Sequence, residues 1–72
     1  MPKDFSKLIG RIIEVFGTRK AFAKAMGFTP EQLSRRLNNQ TQFDSDEMAK
    51  AIDLLDIPPQ EIFVYFLTPK VR

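Results

Sequence analysis

Seventy-two residues, 43% of them apolar and 28% charged, describe one small domain with room for a single core. Cysteine and histidine are both absent, which removes disulfide frameworks, most zinc chemistry and the usual general base, and fits a reducing intracellular setting. The net charge of +2 hides an asymmetry: residues 1 to 40 carry eight Lys or Arg against three acids, net +5, while residues 41 to 72 carry three against six, net −3.

The chain opens on a polar lead-in, MPKDFSK, with no signal-peptide apolar region. Phe5, Leu8, Ile9, Ile12, Ile13 and Phe16 then recur at three- and four-residue spacing, which predicts an amphipathic helix ending at Gly17. Lys7, Arg11 and Glu14 fall on its wet side. No polar constellation accompanies the stripe, so Ile9, Ile12 and Phe16 read as core.

TRKAFAKAMGFTPEQLSRRLN, residues 18 to 38, predicts two short helices joined by a tight corner. Thr18 can cap the first, whose Phe22, Ala23 and Met26 share a face, and Gly27 sits where a helix ends in a left-handed residue. Thr29 opens the second: its hydroxyl can accept from the Gln32 amide, the Gln32 side chain can reach back, and Pro30 takes the first helical position. Phe28 and Leu33 complete a hydrophobic staple. Leu33 and Leu37 turn inward, leaving Pro30, Glu31, Ser34 and Arg35 outward and Gln32 and Arg36 on the flanks.

Asn38, Asn39, Gln40 and Thr41 form the following loop. Asp44 and Glu47 repeat the capping-box spacing, Phe43 can staple to Met48, and Met48, Ala51, Ile52 and Leu55 predict a fourth helix facing the corner. Asp56 to Pro59 is a turn, and Gln60 to Leu67 a short fifth helix whose IFVYFL is apolar nearly all round. Ile62, Tyr65 and Phe66 can close the core. Phe63, Val64 and Leu67 are either simply exposed or form a partner or homodimer face. Residues 68 to 72 are expected to be a flexible tail to a single domain over residues 1 to 67.

The fold expected is therefore all-α, a compact bundle of about five helices with a helix-turn-helix at helices two and three. Catalysis is poorly supported, since Asp44, Asp46 and Glu47 are already explained as a cap and no Gly-rich phosphate loop occurs; no catalytic, metal or cofactor site is expected. No apolar run reaches the roughly 20 residues that span a bilayer, and the first helix has too few cations for a membrane-surface role, so a soluble cytoplasmic protein is expected.

Thr18, Ala23, Gly27, Thr29, Leu33 and Ser34 fall in the pattern Thr-x4-Ala-x3-Gly-x-Ser/Thr-x3-Leu/Ile-Ser, and the stretch resembles the DNA-binding domains of Cro and phage-repressor type. SKLIGRIIEVFGTRKAFAKAMG, LSRRLNNQTQF and EIFVYF extend the resemblance over nearly the whole chain, to small Cro-like proteins of temperate phages of Gram-positive bacteria, antirepressors among them. The resemblance implies a regulator of a phage genetic switch working in the bacterial cytoplasm. It also implies that helix three faces the partner, either operator DNA or the phage repressor protein. For DNA, Arg35 would read guanine and Gln32 adenine. Arg19, Lys20, Thr29, Asn38, Asn39 and Thr41 would hold phosphates, by carry-over from matching family positions, with Lys24 adding non-specific attraction. Pro30 and Glu31 depart from the glutamine, serine or lysine often found there. Pro30 donates nothing and Glu31 is repelled by phosphates, so direct readout would be thin. The same face, Arg36 included, can instead dock on a repressor and cover its DNA surface.

Overall fold

Three of the helices start on a side chain that replaces a missing backbone partner, and those starts fix the order of the fold. In a computed structural model, which describes residues 2–71, the chain forms α1 (Ser6–Phe16), α2 (Arg19–Met26), α3 (Pro30–Leu37), α4 (Ser45–Leu55), a 3-10 turn (Pro59–Glu61) and α5 (Ile62–Phe66). Thr18, Thr29 and Asp44 cap α2, α3 and α4, and the last two form the complete reciprocal boxes read from the sequence.

The core is one cluster. Leu8 and Ile12 of α1, Phe22 of α2, Leu33 of α3 and Leu55 of α4 are fully buried, with Phe5, Ala23, Met26, Leu37, Ala51, Ile57 and Phe66 around them. Phe43 meets Phe5 and Phe66 edge-on at 5.7 and 5.6 Å between ring centroids, and Phe16 meets Phe22 at 5.3 Å, the offset geometry that aromatic quadrupoles favour. Helices α1, α2 and α4 pack on one another, α3 packs on α2, and α5 closes the end against α1.

Several expectations change. Ile13 lies 44% exposed, because an eleven-residue helix turns a stripe this wide partly out of the interface. Arg11 is half-buried, not on a wet face: its Nε donates at 2.9 Å to the carbonyl of Leu55, a C-terminal orphan of α4, while Nη1 pairs with Glu14. Ile57, placed in a turn, is buried. Beyond α5 the chain pairs with the N-terminal lead-in: Lys3 bridges Pro69 in antiparallel fashion, the Asp4 amide donates to Thr68 O at 2.8 Å and the Lys70 amide to Pro2 O at 3.0 Å. Arg72 lies outside the described residues.

Candidate functional site

The corner that presents α3 is shaped locally by backbone and cap bonds. Thr18 Oγ1 accepts from the Ala21 amide at 3.1 Å, and Gly27 stands at φ +80°, the left-handed residue that ends α2. The Phe28 amide then returns to Ala23 O at 2.8 Å. Thr29 Oγ1 accepts from the Gln32 amide at 3.1 Å, and Gln32 Oε1 accepts from the Thr29 amide at 2.9 Å. With Leu33 and Leu37 buried, Pro30, Glu31, Gln32, Ser34 and Arg35 stand exposed along one face. The box occupies the Gln32 carbonyl oxygen and leaves its NH2 group as the available donor.

Both arginines of α3 are engaged within the molecule. Arg35 pairs with Glu31 one turn earlier on the exposed face. Arg36, expected on the contact surface, instead turns back to α4. Its Nε and Nη2 donate to the two carboxylate oxygens of Glu47 at 2.9 and 2.8 Å, Nη1 donates to Gln32 O at 3.0 Å, and the guanidinium lies 4.3 Å from the centroid of the Phe28 ring. The pair is only 14% and 19% exposed, which makes Arg36 a clamp between the corner and α4 and removes it from the contact surface. The Glu47 bond raises the Arg36 pKa, and the Arg36 bond holds the Glu47 carboxyl below its ordinary range, against the opposing effect of burial. Glu47 also accepts from the Asp44 amide at 3.1 Å, so one carboxylate serves two roles.

In the loop beyond α3, Asn39 is likewise withdrawn. It adopts φ +65°, its Oδ1 accepts from the Lys3 amide at 2.8 Å and its Nδ2 donates to Lys3 O at 2.9 Å, so the side chain that family position suggests for a phosphate ties the loop to the paired termini. Asn38 Nδ2 donates to Ser34 Oγ at 3.2 Å. Arg19, Lys20, Lys24 and Thr41 are exposed, and the three cations make no ion pair among the described residues.

Phe63 and Val64 of α5, and Leu67 just after it, are exposed at 59%, 37% and 41%. A groove of about 550 Å³ runs from Asn39, Thr41 and Gln42 to Phe66 and Leu67 over Phe5, Phe43 and Met48. Its lining comes from four separate parts of the chain, so no local pattern announces it. No three acidic side chains converge among the described residues, and no helix there is long and apolar enough to cross a membrane.

These features define a small all-helical domain that presents the outward face of its third helix. The family model described as "Protein of unknown function (DUF739)" matches residues 1–69, and the chain belongs to that family. It is similar to the modulator of repression (MOR) of the temperate bacteriophage TP901-1 from Lactococcus lactis, whose solution structure superposes with a TM-score of 0.82 at 40% identity, over 100% of this chain and 97% of that one. No curated protein matches the chain.

Proposed function

We propose that this chain is a phage antirepressor in the switch between lysis and lysogeny. It binds the phage repressor through the outward face of α3 and the loop after it, and so blocks the repressor from its operator. The observation that carries the reading is the full-length likeness, at 40% identity, to a phage modulator of repression. The turn residues Thr18, Ala23, Gly27, Thr29, Leu33 and Ser34 support a place in the Cro and phage-repressor class, with the host cytoplasm as its setting.

The chemistry of α3 supports a protein partner over DNA. A groove-reading helix needs donors at its exposed end, yet Arg36 is held by Glu47, Pro30 contributes no donor, and Glu31 brings a charge that phosphates repel. Pro30, Glu31, Gln32, Ser34 and Arg35 remain as contacts, with Arg19, Lys20, Thr29, Asn38 and Thr41 at the rim. The alternative, a Cro-type repressor that binds operator DNA itself, draws on the unpaired Arg19, Lys20 and Lys24.

Fluorescence anisotropy of a labelled operator already bound by the repressor separates the two. Titration with this protein should return the signal to that of free DNA, with no binding by this protein alone. If the DNA stays bound and this protein alone raises the anisotropy, the Cro-like reading replaces the antirepressor. A protein that binds neither and pairs with itself would be a homodimerisation module built on Phe63, Val64 and Leu67.

A further inference from the structure

We infer that Glu31 is the residue by which this chain recognises the repressor, accepting a cationic side chain of the partner's DNA-reading face at the place a phosphate or base edge would otherwise fill. The inference rests on the antirepressor reading above and names the chemistry of its interface.

A protein that binds operator DNA must present Lys and Arg along the surface that tracks the phosphates. Anything that covers that surface without being DNA has to supply acceptors to those cations or leave them buried and unpaired, which is expensive. From Val15 to Phe43 this chain has one carboxylate, Glu31, among five cations: Arg19, Lys20, Lys24, Arg35 and Arg36. Of the groups on the outward face of α3 it is therefore the sole anionic acceptor.

Its geometry suits the role. Glu31 sits in the first turn of α3, its side chain is 73% exposed, and its partner Arg35 is itself 52% exposed. Such an i,i+4 pair contributes little in water and is cheap to exchange. A guanidinium of the repressor can therefore take Glu31 from Arg35. In the free protein Arg35 holds the carboxylate in a defined position.

The same residue has the opposite effect on nucleic acid, because a carboxylate at the end of α3 faces phosphates with like charge. That opposition makes the test decisive. The wild type, Glu31→Gln and Arg35→Gln would each be titrated against the labelled full-length repressor of the phage that carries this chain, and separately against a labelled operator duplex. Glu31→Gln should weaken repressor capture roughly 10- to 100-fold, the effect of one charge-assisted hydrogen bond, and leave affinity for the duplex unchanged or raised. Arg35→Gln removes a neighbouring contact but frees Glu31, so it should weaken capture by less than Glu31→Gln does and lower any affinity for the duplex.

Both variants break the same intrahelical pair. A loss of capture shared equally by the two would mean that the helix was perturbed and would overturn the assignment, as would a Glu31→Gln protein that captures the repressor as well as the wild type. A wild type that does not bind the repressor overturns the antirepressor reading itself, and Glu31 with it.

Discussion

Arg36 is the residue on which the candidate site most depends, although it faces away from it. Four groups converge on its guanidinium, two oxygens of Glu47, the carbonyl of Gln32 and the ring of Phe28, and Glu47 in turn accepts from the amide of Asp44. Replacing it by Gln leaves Glu47 in a mostly buried position with only its cap bond, and should cost roughly 1.5 to 3 kcal/mol, the range for lost hydrogen bonds to a charged group. For a domain of this size thermal unfolding would then move down by roughly 6 to 24 °C. An Asp46→Ala control in the same turn, exposed and outside the network, should shift it far less. Glu47 also sets an acid limb. Its carboxyl is depressed in the fold, chiefly by the Arg36 bond, so its contribution is complete above the ordinary carboxylate range and disappears as pH falls through the folded value. Stability followed by chemical denaturation should therefore decline below about pH 5, and Glu47→Gln should give a less stable protein at pH 7 whose decline in acid is shallower.

Among the elements, α3 is set by its two ends, and the glycines show how much the corner before it depends on backbone geometry. Gly27 stands at φ +80° with open space where a Cβ would go, so Gly27→Ala meets no clash and only the left-handed penalty, about 1 to 2 kcal/mol. Gly10 lies inside α1, also with open space at its Cβ, and there Gly10→Ala should stabilise by roughly 0.5 to 1 kcal/mol. Two substitutions of the same kind with opposite signs in a thermal melt are the expected outcome; a stabilised Gly27→Ala protein would mean that α2 can end without the left-handed residue. What the sequence made legible follows the same division between local and distant. The boxes at Thr29 with Gln32 and at Asp44 with Glu47 were readable because both partners lie within one turn and helical spacing alone brings them together. Arg36 with Glu47 spans eleven residues, Asn39 with Lys3 spans 36 and Arg11 with Leu55 spans 44, and no periodicity encodes such meetings. Each of those long-range bonds captured a side chain that residue type alone suggested was free for solvent or a partner. Pro30, Glu31, Ser34 and Arg35 therefore point outward as helical spacing predicts, while Arg36 and, in the loop beyond, Asn39 are bonded within the molecule.

At the scale of the molecule the question is which charges face the partner, and ionic strength decides it. Residues 1 to 40 carry the net +5 and supply α2 and α3, whereas the acids behind the net −3 of residues 41 to 72 lie on α4 and the segments that flank it. A repressor surface shaped to hold DNA is also cationic. The two faces thus repel at a distance through Arg19, Lys20 and Lys24, with Glu31 offering one attraction against three like charges. Short-range packing of Pro30 and Ser34, together with that single ion pair, has to overcome the repulsion. Salt screens the long-range part: the Debye length shortens from about 10 Å at 0.1 M to about 3 Å at 1 M. Capture of the repressor should consequently stay level or tighten as salt rises from about 50 to 200 mM, since the repulsive charges outnumber the attractive one. DNA binding has the opposite sign. If Arg19, Lys20, Lys24 and Arg35 met phosphates, counterion release would give a slope of about −3 to −4 in log affinity against log salt, roughly a 100-fold loss over the same fourfold range. Calorimetric titrations at both salt concentrations, with the repressor and with the operator duplex in turn, read the sign directly. A steep loss of repressor affinity with salt would place the partner on the acidic surface around α4 instead of on α3, because only an anionic surface attracts a DNA-binding face at long range.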